Sequence, residues 1–427
     1  MTALGGGSHA ARGETPYSAV EQLGRVLVEV EGEYVDAVDR AKLVNGAIKG
    51  MVAELDPHSS YMDAEEFQAF QSDTQGQFGG IGIEVETRND QIVVLAPIEG
   101  SPAERAGIAS GDVIVSVEGR DATSQPLDKL IKHLRGAPGG HVKIGVRRQG
   151  VPDLLSFDLV REVIRVPSVA AKLLSGRVAY VRIKQFQERT HDELLDAASR
   201  LRARAGGRLA GIILDLRSDP GGLVDQAADV ADEFLDDGVI YTARHRGRIV
   251  DEVKARSGGA FVDPPCVVLV NQYTASASEL VAGALQDHKR ASIVGEPTFG
   301  KGSVQAIVSL PGGAGMRLTV SRYYTPGGHA IQADGVHPDV AVEIKKNEAS
   351  VSYREKDLEG HLAPESAAGP AVRSNVVVVA ADAASPVPEP SRSDARNVPD
   401  DPEKGSDAVL KVGWEVLQRA LASQPMR

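Results

Sequence analysis

One cysteine, Cys266, stands in 427 residues, so no internal disulfide can form and no cysteine cluster is on offer to a metal. Its position at the start of an apolar run marks it as a small buried hydrophobe rather than a nucleophile. Positive charge is also short. Lys and Arg number 47 against 59 Asp and Glu, a net charge of −12, which disfavours nucleic acid and anionic membrane surfaces as partners. No run of 18 apolar residues occurs, so nothing in the sequence reads as a membrane-spanning helix. The first 16 residues are rich in Gly, Ser and Ala and show no apolar stretch of the kind that marks a signal peptide. What the chain does have is a hydrophobic content of 42%, enough for packed cores, and a length suited to two or three domains.

Taken in order, residues 1–16 read as a disordered start and 17–75 as a helical region. Val20, Leu23, Val26 and Leu27 form one apolar face there, and Leu43, Ala47, Ile48 and Met51 another. Asp56-Pro57-His58 reads as a turn. In residues 76–163, Gln77-Phe78-Gly79-Gly80-Ile81-Gly82-Ile83 frees a run of backbone N–H groups around Gly80 and Gly82. Such a run can receive a terminal carboxylate, with Ile81 and Ile83 flanking a strand edge onto which a peptide adds. Gly111-Asp112-Val113-Ile114-Val115-Ser116-Val117 resembles the G-D-x-I-x-x-V strand of PDZ domains. Leu127 to Leu134 would line the groove, and Arg147 or Arg148 is a candidate partner for a carboxylate or for the protease core. Residues 164–346 alternate strand and helix, the pattern of an α/β core. Residues 347–405, rich in Ala, Ser, Pro and acidic residues, read as a flexible linker with one apolar run at Val376–Val379. The chain closes at 406–427 with an amphipathic helix whose Leu410, Trp414, Leu417 and Leu421 should dock on the body or on a second subunit.

The chemistry concentrates between Val267 and Gln305. A β-branched run (Val267 to Val270) is followed by Thr274-Ala275-Ser276-Ala277-Ser278 and then by a helical pattern from Glu279 to Gln286. A strand that breaks into a helix presents a serine well, and the unpaired N–H groups at the helix start can hold an oxyanion. Lys301 follows in a loop framed by Gly300 and Gly302. Three readings fit these residues. Ser276 and Lys301 can form a nucleophile and base, since burial can lower a lysine towards neutrality. Gly295 to Lys301 also satisfies G-x-x-x-x-G-K, but Gly302 stands where a P-loop needs Ser or Thr, and a strand follows where it needs a helix. In the third reading Ser276 caps a helix and Lys301 is a surface residue. Upstream, Arg217 to Gly222 is a turn before a helix, where Gly221 and Gly222 can donate N–H groups but Pro220 cannot.

Asn271 to Gln305, together with Asp215-Leu216-Arg217-Ser218-Asp219-Pro220-Gly221-Gly222 and Tyr323-Tyr324-Thr325-Pro326-Gly327-Gly328, resembles the carboxyl-terminal processing proteases. These are PDZ-containing serine peptidases with a Ser–Lys–Gln arrangement. The resemblance runs from about Val20 to Val342. The family's S-A-S-A-S-E element stands here as Thr274 to Glu279, and its T-F-G-K-G-S-V-Q is present whole. The resemblance implies Ser276 as nucleophile, Lys301 as base and Gln305 as the residue holding the base. It implies Gly222, with Gly221 as an alternative, and Ala277 as oxyanion donors. Asp219 departs from the asparagine usual in the family, and is expected to point away from the oxyanion or to cap the helix. The expected architecture is a helical N-terminal region, an inserted PDZ domain, an α/β protease core with a mixed sheet, and a C-terminal linker and helix. The implied function is an endopeptidase acting near the carboxyl ends of proteins, with a PDZ domain that recognises the terminus and gates the site. No metal or organic cofactor is implied. Expected partners are protein or peptide substrates, an adaptor or activator protein, and a second copy through the N- and C-terminal helical segments. The expected compartment is the periplasm or another extracytoplasmic space. Two rivals remain: a PDZ binding scaffold with an inert core, favoured by Asp219 and Thr274, and an acyl-CoA enzyme on a related core.

Overall fold

The computed structural model describes residues 16–88, 91–123, 125–344, 353–364, 375–379 and 398–423. The Gly-rich start, residues 1–15, and most of the stretch read as a linker lie outside the described residues. The chain divides into two compact units. One runs to Phe67 and takes in Gln305–Thr319; the other holds Gln68–Val304 and everything from Val320 on.

In the first unit, helices Pro16–Glu33 and Arg40–Ala53 follow one another. Asp39 starts the second by accepting the Ala41 and Lys42 N–H groups at 2.8 and 3.2 Å. The Asp56 turn forms as its residues dictate. Asp56 Oδ1 accepts the His58 and Ser59 N–H groups, and Oδ2 the Ser59 hydroxyl. Strand Ser60–Met62 then pairs antiparallel with Gly315 to Arg317. Gly315 is required there, because a Cβ on it would meet the Phe67 ring at 2.3 Å.

The second unit is built on a seven-stranded sheet in the order Val169–Leu174, Val178–Ile183, Gly211–Asp215, Cys266–Val270, Ala291–Gly295, Val340–Ile344, Asn375–Val379. The first pair is antiparallel and the rest are parallel. Each central strand is buried on both faces, so its residues sort by the two-residue period rather than by polarity. Val181, Ile183, Ile212, Leu214, Val268 and Val270 face helices Thr190–Arg204, Val224–Asp232 and Ala277–Asp287. Val178, Tyr180, Ile213, Val267, Leu269 and Val294 face the helix Ala408–Ala422. Gly413 lets that helix approach, since a Cβ on it would lie 2.5 Å from Leu269 Cδ2. The apolar face of the C-terminal helix is thus spent on its own body, leaving none of Leu410, Trp414 and Leu417 for a second subunit. The Val376–Val379 run, read above as part of a linker, is a strand that extends the sheet. Consecutive β-branched residues favour extended pairing once a neighbouring edge is available.

A six-stranded sheet lies between the units' helical start and this core in sequence, with path order Ile83–Arg88, Gln91–Pro97, Val113–Val117, His141–Arg147, Leu155–Val160. It packs on Leu130 and Leu134 of the helix Leu127–Leu134 and on Ala103 of the short helix Pro102–Arg105. Asp112 is fully buried and paired bidentately with Arg148 at 2.7 and 2.8 Å, so Arg148 is committed inside this domain.

Leu417 is fully buried against the core strands. Leu417→Ala should cost about 2–5 kcal/mol. Trp414, the single tryptophan, reports on that interface, so its fluorescence transition in urea should move to lower concentration. An unmoved midpoint would mean the helix adds nothing to the core.

Candidate active site

Three neighbouring strands, Gly211–Asp215, Cys266–Val270 and Ala291–Gly295, run parallel. Their carboxyl ends share one edge of the sheet, and the loop after each leaves from it. The first loop carries Asp219 to Gly222, the second Thr274 to Ser276, and the third Phe299 to Lys301. The strand leading to Ser276 is the middle one.

Ser276 is 8% exposed and has φ 57° and ψ −119°. A side chain other than glycine is strained there by about 1–3 kcal/mol. The strain is held by hydrogen bonds on both sides. Ala275 N–H donates to the Asp219 carbonyl at 2.9 Å and Ser276 N–H to Glu279 Oε2 at 2.8 Å. The Ser278 hydroxyl also donates to the Asp219 carbonyl, at 3.2 Å. Helix Ala277–Asp287 starts at the next residue, so the Ala277 N–H is among the first-turn donors that a helix cannot pair internally.

Gly221 and Gly222 have φ of 93° and 146°. A Cβ on Gly221 would stand 2.8 Å from Ser276 Cβ and 2.9 Å from Ala277 N, and one on Gly222 would meet the Phe186 carbonyl oxygen at 2.0 Å. Only glycine fits either position. The Gly221 N–H donates to Asp219 Oδ1 at 2.8 Å, so it is already spent within its own loop. Asp219 does not cap the following helix, whose N-cap is Leu223; its side chain turns back onto its own loop.

Lys301 is half-buried in a loop pressed against its neighbours. A Cβ on Gly302 would meet Gln332 N at 2.4 Å, and Gly300 has φ 96°. The Phe299 N–H donates to the Thr274 carbonyl at 3.0 Å. The main tie to the elbow is Glu279. Its Oε2 accepts both the Ser276 and the Lys301 N–H at 2.8 Å, and its Oε1 accepts the Gly300 N–H at 2.7 Å and the Thr298 hydroxyl. Burial pushes this carboxyl up to about 7, against four donors that favour its charged form. Three of those donors are N–H groups that cannot accept, which favours the carboxylate form. Glu279 was read from the sequence only as the last letter of a motif. The Ser276-x-x-Glu279 spacing, that of a capping box, was the available signal.

Gln305 falls in the other compact unit, where its Nε2 donates to Thr319 Oγ1 at 3.4 Å. On the PDZ side, Gly80 closes a strand paired with Glu162–Arg165, and Ile83 opens the strand Ile83–Arg88. That strand lies at the end of its sheet's path, with one edge unpaired among the described strands. Gly82 has φ 76°, and its carbonyl accepts from Ile98 N–H and the Ser101 hydroxyl. Ile81 is 2% exposed and belongs to the domain's core. It anchors the loop from below instead of flanking an open edge.

A strained serine at a helix start beside a doubly glycine loop, with a separate PDZ fold, is the equipment of a peptidase. Comparison with known families bears this out. The profile of Peptidase family S41 matches residues 177–342, that of the PDZ domain 93–148, and that of the Activating protease CtpB N-terminal domain 7–66. The carboxy-terminal-processing protease of Bartonella bacilliformis is 40% identical, over 82% of this chain and 82% of that one. The carboxy-terminal processing protease CtpA of Bacillus subtilis is 35% identical over 80% and 72%. Among solved structures, a photosystem II D1 C-terminal processing protease aligns with a TM-score of 0.46 and 33% identity, covering 74% of this chain and 86% of that one. The chain belongs to peptidase family S41, the carboxy-terminal processing proteases, and is a serine peptidase that carries a PDZ domain.

Glu279→Gln would set an NH2 group against backbone N–H donors that now share a carboxylate. A small displacement of elbow and loop costs about 100-fold in turnover. We expect a loss of that order in kcat on an unstructured protein substrate, with circular dichroism unchanged. Wild-type turnover in the variant would show that the four bonds do not set the site.

Proposed function

We propose that this peptidase cuts proteins near their carboxyl ends with Ser276 as nucleophile and Lys301 as general base. The observation that supports the reading best is the Glu279 carboxylate, shared by the backbones of Ser276 and Lys301. In the acylation step Ser276 Oγ attacks the scissile carbonyl carbon and its proton passes to the neutral Lys301 Nζ. The resulting oxyanion is received by the Gly222 and Ala277 N–H groups. Collapse breaks the C–N bond, and Lys301 returns the proton to the leaving amine. A water then gives its proton to Lys301 and attacks the acyl ester, releasing the shortened protein and restoring the hydroxyl. Gln305 is assigned to holding the Lys301 side chain, on its place in the T-F-G-K-G-S-V-Q motif.

The PDZ domain is assigned the capture of the substrate's terminus. The unpaired edge of Ile83–Arg88 can take the peptide as an added strand and the Gly80–Gly82 turn its carboxylate. Occupancy of that groove is taken to gate the site, with an adaptor or activator as a further ligand. The apolar face of the helix Pro16–Glu33, with Val20, Leu23 and Val26 all more than half exposed, supports pairing with a second copy. The protein is assigned to an extracytoplasmic compartment on its family resemblance.

Wild-type protein incubated with an unfolded substrate should yield products shortened at the carboxyl end, read by mass. Ser276→Ala and Lys301→Ala should each remove essentially all of this activity, by a factor of about 10³ or more. Equal activity in either variant would sink the assignment. Light scattering should give a dimer mass that Leu23→Glu reduces to the monomer; a monomeric wild type would remove the second copy.

A further inference from the structure

Asp219 is the buried acid that the reaction above does not use. It is fully buried, and among the described residues the only cation that acts on its carboxyl is Arg182, through space. Oδ1 accepts one N–H, that of Gly221, while Oδ2 is enclosed without a hydrogen-bond partner among the described residues. Five polar or charged residues on the neighbouring elements bear on its surroundings. Arg182 on strand Val178–Ile183 acts only through space, its guanidinium lying 3.7 Å from Asp215 and donating to the Arg217 carbonyl at 3.3 Å. Arg217 is committed to Asp215 and Asp407. From helix Ala277–Asp287 come the Ser278 hydroxyl, directed at the Asp219 main-chain carbonyl, and Glu279, saturated by its four donors. Lys301 sits on the loop bonded to that same Glu279. A carboxylate in this position would leave one charged oxygen buried and unanswered, a costly state that a group avoids by keeping its proton.

We propose that Asp219 is a positioning residue that works as a neutral carboxylic acid. One oxygen fixes the Gly221 N–H, so that the turn presents Gly222, and the other carries a proton that keeps the turn free of negative charge where the oxyanion forms. Loss of that proton sets a carboxylate beside a developing negative charge and closes the oxyanion site. The proposal rests on the reading of Ser276 and Gly222 given above. Burial, the largest influence, pushes this carboxyl up to about 8, while the Gly221 N–H, Ser278 and Arg182 draw it down. The sign for stability is the same. The folded form holds the proton more tightly than the unfolded chain, so stability is complete at acid pH and declines as pH rises towards 8.

The test is the pH profile of kcat/KM. Wild type should fall on the alkaline side, by about 30-fold at a pH about 1.5 units above the Asp219 midpoint. Asp219→Asn, which cannot ionise, should lack the falling limb whatever the height of its profile. An identical falling limb in both proteins would overturn the proposal. A second measurement does not depend on turnover. In a Ser276→Ala background, infrared difference spectra should show a buried carboxylic-acid C=O band that disappears as pH passes about 8. That band should be missing when Asp219→Asn is added. A band at neutral pH of equal intensity in the Ser276→Ala protein and the double variant overturns the role of Asp219. Wild-type inactivity at every pH instead overturns the Ser276 reading and leaves the infrared band to decide on Asp219.

Discussion

A single buried carboxylate holds this site together. Glu279 takes N–H groups from Ser276, Gly300 and Lys301 and the hydroxyl of Thr298, so one residue on a helix's first turn fastens two loops that leave different strands. Hydrogen bonds to a charged acceptor contribute about 1.5–3 kcal/mol each. Together they offset both the burial of the charge and the strain of Ser276 at positive φ. An apolar residue at 279 would leave three backbone N–H groups buried without partners, and the elbow would have no reason to keep its geometry.

The sheet supplies the rest of the rigidity. Because the three loop-bearing strands are adjacent and parallel, their loops emerge side by side without any long connection to bring them together. The central strands are closed on both faces. The second face is covered by a helix from the far end of the chain, and Arg217 joins that helix to the loop after strand Gly211–Asp215. Its guanidinium binds Asp215 at the end of its strand and Asp407 at the helix N-cap. Burial works against the charge of Asp215, yet Arg217 and the Tyr180 hydroxyl hold its carboxyl down to about 2. Distant sequence thereby fixes the loop that carries Asp219 to Gly222.

Much of this was legible in the residues. Runs such as Val267–Val270 and Gly211–Asp215 announced buried strands, and the glycines around Lys301 announced close backbone approach. What escaped was decided by partners rather than by local pattern. The strand at 375–379 pairs only because the 340–344 edge is there to receive it. Gly221 and Gly222 look equivalent in sequence, and only the turn of the Asp219 side chain onto the first distinguishes them. Ile81 alternates as an edge residue would, but the Gly80–Gly82 turn carries it into the domain core.

Asp219 and Glu279 show why residue type alone does not assign charge. Both are fully buried acids within one site, and burial raises both. Glu279 meets four donors spread over two oxygens, so ionisation completes its surroundings. Asp219 has a hydrogen bond on Oδ1 and, among the described residues, none on Oδ2, with the Ser278 hydroxyl turned to its main-chain carbonyl, so ionisation would leave Oδ2 stranded. The difference suits their positions. Glu279 faces backbone N–H groups, where negative charge adds cohesion. Asp219 sits in the turn proposed to receive the oxyanion, where a second negative charge would oppose the reaction. The substitution that made the core look inert in sequence is therefore compatible with an active site, provided the carboxyl stays protonated.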